Sequence, residues 1–392
     1  MSAGVAEPRT QRPDARAPHR AMPRTPRVLQ VVLSLTPGGT ERLVVELCRR
    51  LAPEFGVAVC CLDEEGEWAV DLQARGIEVK ALHRRPGFRP QVGRAIAQFA
   101  SERRFDVLHC HQYSPFVYGR VATMWNRQLK MVYTEHGRLS DARPSWKRRL
   151  VNPWLSRFDG SIVAVSHELR DYMIEARFPP GRVQVVHNGV EPADVPSGAD
   201  RHRARQQLRL DDRAFVVATV ARLDPVKDLM TLFEAFAKVR RRVPSAQLLV
   251  VGDGPERDRL TARAEQPDLA GSVHMAGYRS DVRALLPAAD VYTSSSISEG
   301  VSITILEAMA AAIPVVATAV GGTPEVLPEE SAGGILVPCR DPERLAEAIV
   351  SLAHDHEQRA AMAAAGRRRL ERSFTIDRMV DDYSRLYRGL AG

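Results

Sequence analysis

The sequence predicts an α/β protein built from two doubly wound parallel-sheet domains that face each other across a cleft. Three observations favour this fold. Short apolar runs typical of buried strands alternate with amphipathic helical stretches along most of the chain. A Pro/Gly/Asp-rich stretch over residues 191–200 separates two such series. The length of 392 residues also suits two domains of roughly 100 to 200 residues each.

Composition divides the chain into five segments. Residues 1–26 hold five prolines and no apolar run, and residues 1–27 carry four of the seven net positive charges, so we expect a disordered basic tail and no secretory signal. We then expect a first domain over 27–190, a linker over 191–200, a second domain over 201–373 and a terminal segment over 374–392.

The first domain is predicted to begin with a strand from Val28 to Ser34, a tight Pro-Gly-Gly loop and a helix from Thr40 to Leu51. Six more strands are predicted, with helices between most of them, at residues 57–62, 77–82, 107–111, 130–135, 161–165 and 183–187. Ligands of such sheets bind beyond the carboxyl ends of the strands. The polar residues at those ends are therefore site candidates: Gly38, Gly39, His111, Glu135, His136, Ser166 and Asn188.

In the second domain, strands are predicted at residues 215–221, 247–251, 273–276 and 334–337, with a helix over 229–239 and closing helices from Pro342. The central unit spans residues 290–326. It begins with a strand and a polar loop, continues as a predicted helix from Gly300 to Ala312, and ends with a second strand from Ile313 to Ala317.

Two glutamates of this central unit, Glu299 and Glu307, are eight residues apart, which is roughly 12 Å along a helix. That span suits the sugar and the ribose of one nucleotide sugar. Between them Gly300 begins the predicted helix, whose positive end and free amides form a diphosphate site. The amides expected there belong to Val301, Ser302 and Ile303. The alternative is that Glu299 only complements the helix dipole and Glu307 lies on a solvated face.

Two cations follow the first strand of the second domain. Arg222 and Lys227, in the segment ARLDPVKD, are placed to reach from a strand end into the cleft, where they could hold a diphosphate leaving group. The alternative is ordinary surface charge. A metal ion often neutralises such a group instead, but the chain has no Asp-x-Asp pair. We therefore expect no metal and no cofactor.

Composition also excludes several classes of protein. The five cysteines include no Cys-x-x-Cys pair, which argues against a disulfide framework or a zinc site and favours a reducing compartment. No apolar run approaches the roughly 20 residues that span a bilayer, so we expect a cytoplasmic protein whose membrane contact, if any, is peripheral at the inner face. Nucleic-acid binding is not expected, because the arginine clusters at 240–242 and 367–369 end helical stretches.

The ordered motifs resemble the retaining family-four glycosyltransferases of the GT-B fold. They are the TEHG segment, VHNGVE, ARLDPVKD, VVGDGPER, SEGVSITILEAMA and PVVATAVGGTPEV, and the resemblance covers nearly everything from Val28 to Leu390. It implies transfer of a hexose from a nucleotide-diphosphate sugar, with UDP favoured, to a hydroxyl of a saccharide or polyprenyl-linked acceptor. It also implies that the final helix, Thr375 to Leu390, crosses back to the first domain.

The resemblance assigns roles residue by residue. Glu299 would contact hydroxyls of the donor sugar, and Glu307 would contact the ribose. Arg222 and Lys227 would bind the diphosphate, and Gly38 and Gly39 would close on it from the first domain. His136 would contact the sugar beside the reacting carbon, which makes it and Glu299 the catalytic candidates. His111 is expected on the acceptor side. Tyr278, near the predicted base site, contacts the donor or is a packed aromatic.

One departure from the family pattern concerns charge. The family often has glycine at the positions of Ala221 and Asp228, and Asp228 adds a negative charge beside the donor cations. The stereochemical route also stays open. Double displacement needs a carboxylate nucleophile, for which Glu299 is the candidate, whereas the resemblance favours same-face substitution.

The sequence leaves three alternatives to the transferase. A nucleotide-sugar epimerase also uses two facing sheets, and a catalytically inactive partner in polysaccharide assembly would share the motifs. A nicotinamide oxidoreductase is disfavoured because no strand is followed by Gly-x-Gly-x-x-Gly.

The stretch from Trp146 to Phe158 bears on the acceptor. Its apolar residues fall on one helical face among basic ones, as on an interfacial helix that contacts an anionic membrane. Packing of this face against the first sheet is the favoured prediction, because Pro153 interrupts the helix and a strand begins at Ser161.

Overall fold

A computed structural model describes residue 1 and residues 25–138, 144–192 and 194–392; the side chain of Ser331 is outside the description. The predicted tail, apart from its ends, lies outside these residues. Two parallel sheets form the two halves of the molecule, and the predicted fold class is confirmed. The seven-stranded sheet has the order β3-β2-β1-β4-β5-β6-β7 and the six-stranded sheet β10-β9-β8-β11-β12-β13. The strands are β1 Arg27–Val32, β2 Gly56–Cys61, β3 Glu78–Ala81, β4 Val107–His111, β5 Lys130–Glu135, β6 Gly160–Ala164, β7 Val183–Val185, β8 Phe215–Val220, β9 Ala246–Val251, β10 Val273–Gly277, β11 Val291–Ser294, β12 Val315–Thr318 and β13 Gly334–Val337.

Helices cover both faces of each sheet, which explains why the strands are almost continuous apolar runs. The α-helices are α1 Gly39–Leu51, α2 Ala69–Ala74, α3 Pro90–Glu102, α4 Tyr113–Trp125, α5 Trp146–Leu155, α6 His167–Glu175, α7 Gly198–Gln207, α8 Leu229–Arg242, α9 Arg257–Ala264, α10 Val282–Leu285, α11 Ile303–Ala310, α12 Thr323–Val326, α13 Pro342–His354, α14 His356–Ser373 and α15 Ile376–Ala391.

The strand order reverses at one point in each sheet, and these two points locate the site. In the first sheet β1 pairs with both β2 and β4, and in the second sheet β8 pairs with both β9 and β11. A crevice opens beyond the carboxyl ends of strands at such a reversal. The loops that follow β1, β4, β8 and β11 are therefore brought to the cleft, and these loops carry most of the predicted site residues.

The C-terminal helix α15 leaves the second domain and packs on the first sheet. Ile376, Met379, Tyr383 and Tyr387 are at most 3% exposed and lie in one apolar cluster with residues of β1, β4, β5 and α1. The crossing is fixed by backbone hydrogen bonds from Val190 N to Phe374 O and from Ile376 N to Val190 O, each 3.0 Å. The two domains are thus joined at two crossings of the chain.

The structure differs from the prediction at both ends of the central helix and at the end of the linker. Helix α11 begins at Ile303, not Gly300. The rise per residue of a helix therefore does not apply between Glu299 and Ile303, and the estimate of roughly 12 Å between Glu299 and Glu307 is not valid. The cause of this late start is the tight packing of Gly300 against His136 O of the first domain, where an added Cβ would lie 2.2 Å from that oxygen. The helix ends at Ala310 because Ala312 adopts a left-handed conformation (φ 52°) and Ile313 N bonds back to Ala308 O. In the predicted linker, α7 already begins at Gly198.

The early start of α7 has a local cause in a capping box. Ser197 Oγ accepts from Asp200 N, while the Asp200 carboxylate accepts from Ser197 N, so the first turn is stabilised at both of these amides. Elsewhere the five cysteines are all free thiols. Among the described residues, no helix has the length and apolar character needed to cross a bilayer.

Candidate active site

The loop between β11 and α11 is held rigidly in the second domain. Ser295 Oγ donates to Lys227 O at 2.9 Å, and Thr318 Oγ1 donates to Ser296 O at 2.6 Å. Gly321 packs so closely that an added Cβ would lie 1.8 Å from Glu299 O, and its φ of 54° is one that glycine adopts at little cost. The loop therefore presents Glu299 from a fixed backbone.

Glu299 is paired with one of the predicted cations. Lys227 Nζ donates to Glu299 Oε1 at 2.6 Å, and Ser296 Oγ donates to the same oxygen at 2.7 Å. The side chain of Glu299 is 10% exposed and that of Lys227 is 24% exposed. The pair lies at a strand end beside the cleft, so the two charged groups hold each other in place and remain partly exposed. Ser296 was not identified from the sequence.

Two helix starts meet across the cleft. Helix α1 begins at Gly39 with Gly38 as its N-cap, and α11 begins at Ile303 with Ser302 as its N-cap. Neither N-cap makes a side-chain hydrogen bond to its helix, so the first-turn amides of α11 keep their donor capacity, whereas in α1 the Glu41 carboxylate accepts from its own amide. A Cβ placed on Gly39 would lie 3.4 Å from Ile303 Cδ1, which shows how close the two starts are.

The three residues predicted to supply the amides occupy different positions at the start of α11. Of the three residues assigned to the helix start, only Ile303 lies inside α11; Ser302 is the N-cap, and Val301 precedes it. Val301 is buried, and its carbonyl accepts from Asn188 Nδ2 of the first domain at 2.9 Å. The three assigned residues thus span the approach to α11 and its first position.

Arg222 points away from the protein core. Its side chain is 72% exposed, and its Nε lies 3.3 Å from Asp224 Oδ2. Across the cleft, burial raises the pKa of Glu41 in the first turn of α1, and the charge of Arg222 partly offsets that rise. Arg222 is thus near the start of α1 as well as on the second domain.

Glu307 is a buried carboxylate with unmet hydrogen-bonding capacity. Its side chain is 2% exposed, and Arg42 Nη1 of α1 lies 2.7 Å from its Oε1, with Arg283 Nε 3.6 Å away. Neither oxygen receives an aligned hydrogen bond within the described part of the chain. Burial raises the pKa of Glu307, and the two arginines oppose that rise. A buried acceptor in this state favours a ligand with hydroxyl donors. The solvated-face alternative is wrong.

Arg42 was missed from the sequence. It lies three residues after Gly39, in the first turn of α1, and only the approach of the two domains brings it to Glu307. The one available signal was its place next to the Gly-Gly loop. Tyr278, which follows β10, is 45% exposed. Burial raises its pKa, with a further rise from Glu67 and an opposing effect of Arg42, so Tyr278 also lies near α1.

His136 follows β5 and meets the Glu299 loop. A Cβ on Gly300 would lie 2.2 Å from His136 O, so only glycine allows this approach of the two domains. His136 Nε2 lies 2.9 Å from Nδ1 of the buried His111. Burial lowers the pKa of His136 to about 3 and lowers that of His111 well below its usual value. Both rings are therefore neutral near pH 7.

Asp228, which departs from the family pattern, has a local role. It adopts a left-handed conformation (φ 45°) before α8, and its Oδ2 accepts from Thr231 Oγ1 at 2.7 Å. Aspartate tolerates this conformation better than most residues. Its charge is thus engaged at the start of α8.

A second interdomain contact lies behind the site. His187 Nε2 lies 3.1 Å from Glu325 Oε2, and Glu168 N donates to Glu325 Oε1 at 3.1 Å. His167, His187 and Glu325 form the one group of three with metal-ligand spacing among the described residues. Both oxygens of Glu325 already have protein partners, so the contact is explained as a junction between the domains.

The chain is similar to known glycosyltransferases along both domains. The family described as glycosyl transferases group 1 matches residues 200–369, and the family described as Glycosyltransferase Family 4 matches residues 37–194. A Bacillus subtilis (strain 168) relative that carries the name glycosyltransferase EpsD is 29% identical over 318 residues, covering 77% of this chain and 83% of its own. A D-inositol 3-phosphate glycosyltransferase of Salinispora arenicola is 30% identical over 310 residues, covering 72% and 68%.

Solved structures share the fold. Anabaena Alr3699/HepE in complex with UDP and glucose superimposes with a TM-score of 0.82 at 24% identity, covering 92% of this chain and 98% of that one. The fold and site define the class of glycosyltransferases with the GT-B architecture. The chain belongs to glycosyltransferase family 4, and it is a glycosyltransferase that uses a nucleotide-sugar donor.

Proposed function

We propose that this protein is a retaining, metal-independent hexosyltransferase. It transfers a hexose from a UDP-sugar donor to a hydroxyl of a lipid-linked or saccharide acceptor. The observation that supports it most is the meeting of the α1 and α11 starts beside Arg222 and Lys227. Two positive helix ends and two cations favour binding of a diphosphate without a metal ion.

The remaining donor contacts extend from this point. Glu307 offers a buried acceptor for two ribose hydroxyls, and Glu299 and His136 lie on opposite domains where the sugar would be held. As the bond to the leaving phosphate breaks, negative charge grows on its oxygens. Arg222, Lys227 and the amides at the start of α11 would stabilise that charge, which is the main catalytic effect that we assign to the protein.

The surroundings of Glu299 favour same-face substitution over double displacement. Its Oε1 already accepts from the Lys227 ammonium and the Ser296 hydroxyl, and such donors reduce the nucleophilicity of a carboxylate. In the same-face route the departing phosphate oxygen accepts the proton of the incoming hydroxyl. No protein carboxylate then needs to form a bond to the sugar.

Helix α5 presents an apolar and basic surface, contrary to the favoured prediction that it packs on the first sheet. Leu155 and Phe158 are buried, but the exposed fractions are 67% for Trp146, 69% for Leu150 and 46% for Trp154. Asn152 holds the helix in place, because it accepts from Tyr113 OH at 2.7 Å and donates to Ala176 O at 2.8 Å. The segment therefore packs through Asn152, Leu155 and Phe158, while Trp146, Leu150 and Trp154 stay exposed.

We propose that this α5 surface docks on an anionic membrane, which would bring the site to a lipid-linked acceptor. Aromatic and aliphatic side chains beside cations are the composition of interfacial helices. The cations exposed on this segment are Lys147, Arg149 and Arg157. Arg148 is different, because its guanidinium stacks 4.1 Å from the ring of Tyr113. The α5 triple-alanine variant is therefore defined as Lys147→Ala, Arg149→Ala and Arg157→Ala together. It leaves the contacts of Arg148 and Asn152, which hold the helix in place, unchanged.

Donor turnover tests the proposal. The full chain is incubated in EDTA with UDP-, GDP- and ADP-linked hexoses, and release of free nucleotide and sugar is measured. UDP-glucose is the first donor to test, because the Anabaena protein of the same fold was solved with UDP and glucose. We expect metal-independent release of UDP and, by NMR of the first product formed, the α-anomer. Release of the β-anomer would contradict retention, and a requirement for magnesium would contradict the cation assignment.

A further inference from the structure

A line of polar side chains runs from His136 at the cleft through the first sheet to the C-terminal helix. His136 Nε2 lies 2.9 Å from His111 Nδ1, and His111 Nε2 lies 2.8 Å from Gln30 Oε1. Gln30 Nε2 donates to Tyr387 Oη at 3.4 Å. Gln30, His111 and Tyr387 are at most 2% exposed. The ring of His136 is thus connected to α15 by three successive contacts.

The line continues beyond Tyr387. Tyr387 Oη lies 2.5 Å from His109 Nδ1, and His109 Nε2 lies 2.8 Å from Thr134 Oγ1. Tyr383 Oη, on the same face of α15, lies 3.1 Å from Thr134 Oγ1 at the far end. Burial lowers the pKa of His109 well below its usual value, as it does for His111 and His136. Each of the three rings therefore carries one N–H.

The orientation of the Gln30 amide sets the direction of every bond. Because Gln30 turns its oxygen to His111, His111 must donate from Nε2, which leaves its Nδ1 as an acceptor. His136 must then donate from Nε2. Its Nδ1 carries a lone pair and has no hydrogen-bond partner among the described residues. Reversal of the amide would reverse the whole line and put the proton of His136 on Nδ1.

We propose that Tyr387 and Gln30 are positioning residues that hold His136 in its Nε2–H tautomer, so that Nδ1 accepts a hydrogen bond from a hydroxyl of the donor sugar. Tyr387 Oη accepts from the Gln30 amide in this orientation, which leaves its own O–H to donate to His109 Nδ1, so Tyr387 satisfies the amide when its oxygen faces His111. The sugar contact rests on the proposed function, whereas the tautomer does not. The C-terminal helix thus acts on the cleft through side chains as well as by packing.

The first test is the tautomer itself. The full chain is labelled with ¹⁵N-histidine, and the two ring nitrogens of His136 are assigned by their loss in His136→Asn. We expect a protonated, pyrrole-type Nε2 and an unprotonated, pyridine-type Nδ1 in the unliganded wild type. A protonated Nδ1 in the wild type would overturn the proposal, whatever the enzyme's activity. In Tyr387→Phe the amide loses its anchor, so we expect both tautomers at comparable populations. An unchanged Tyr387→Phe spectrum would remove Tyr387 from the role.

The second test separates positioning from stability. Tyr383→Phe is the matched control, since it deletes a buried hydroxyl from the same helix but touches only the far end of the line. Because about half of the Tyr387→Phe molecules should carry the Nε2–H tautomer, we expect kcat for UDP-glucose hydrolysis to fall about twofold in that variant and to equal the wild-type value in Tyr383→Phe. Equal loss of melting temperature with unchanged kcat in both variants would show a purely structural role. Absence of turnover in the wild type would contradict the proposed function and leave the tautomer measurement intact.

Discussion

Replacement of Glu299 by glutamine tests the site most selectively. The change keeps the volume of the side chain and removes its negative charge. Lys227 Nζ and Ser296 Oγ both donate hydrogen bonds to Oε1 of that carboxylate. Loss of a charge-assisted hydrogen bond costs about 1.5 to 3 kcal/mol when the partner stays buried. Lys227 is 24% exposed and can turn to water, so the folding cost should fall below that range, to about 1 kcal/mol. For domains of this size that lowers the melting temperature by about 2 to 4 °C.

The catalytic cost should be far larger. Glu299 is expected to hold the sugar in the transition state, and removal of one such oriented contact costs about 100- to 1000-fold in kcat. The assay is release of UDP from UDP-glucose at saturating donor, with melting temperatures measured alongside. Glu343→Gln is the matched control, because Glu343 also pairs with a lysine, with Lys238 Nζ 2.5 Å from its Oε2, on the outer surface of the second domain. Turnover in Glu299→Gln within about threefold of the control would refute the assignment.

Three further predictions concern the donor, the membrane and pH. Glu307→Ala should weaken UDP binding by about 30-fold or more in calorimetry, because two ribose hydroxyls lose a charged acceptor, while kcat at saturating donor is retained; unchanged affinity would remove the ribose role. The α5 triple-alanine variant should bind phosphatidylglycerol vesicles about a hundredfold less tightly in sedimentation, at about 1 kcal/mol per cation, and binding to neutral vesicles should be weak for both proteins; equal binding would exclude the surface. Burial holds the pKa values of His109, His111 and His136 in the folded protein below the unfolded value of about 6.5, so the unfolded chain takes up protons first as the pH drops. We therefore expect the free energy of unfolding, measured with urea, to fall by about 4 kcal/mol between pH 7 and pH 5.5. Equal urea midpoints at the two pH values would contradict burial of the three rings in the neutral form.

The fold could be predicted because its signals are local. Buried strands such as β1 and β8 are short apolar runs, and each is followed by a helix with one apolar face, so the alternation alone indicates parallel sheets. The site could be placed in outline for the same reason. Polar residues after β8 and β11 must gather at one sheet edge, and Lys227 and Glu299 are indeed 2.6 Å apart.

What escaped prediction depends on contacts between segments distant in the chain. Helix α11 starts late because Gly300 packs on His136 O, a contact between domains that no local pattern records. Arg42 has the same origin, since its partner Glu307 lies on the other domain. Gln30 and Tyr387 are 357 positions apart, and each alone fits an ordinary strand or helix residue. The exposed face of α5 was misjudged because amphipathic periodicity does not say which face is covered.

The central claim is that two helix starts and two cations form a nucleotide-diphosphate site, and nucleotide binding measured by thermal shift in EDTA tests it most directly. A ligand at 100 times its dissociation constant adds about 2.7 kcal/mol to the stability of the folded protein, which is a shift of several degrees. We expect UDP to raise the melting temperature, and Lys227→Ala to lose most of that rise. A response to GDP alone would contradict the choice of UDP as donor nucleotide. No response to UDP, GDP or ADP, with or without magnesium, would contradict the site itself.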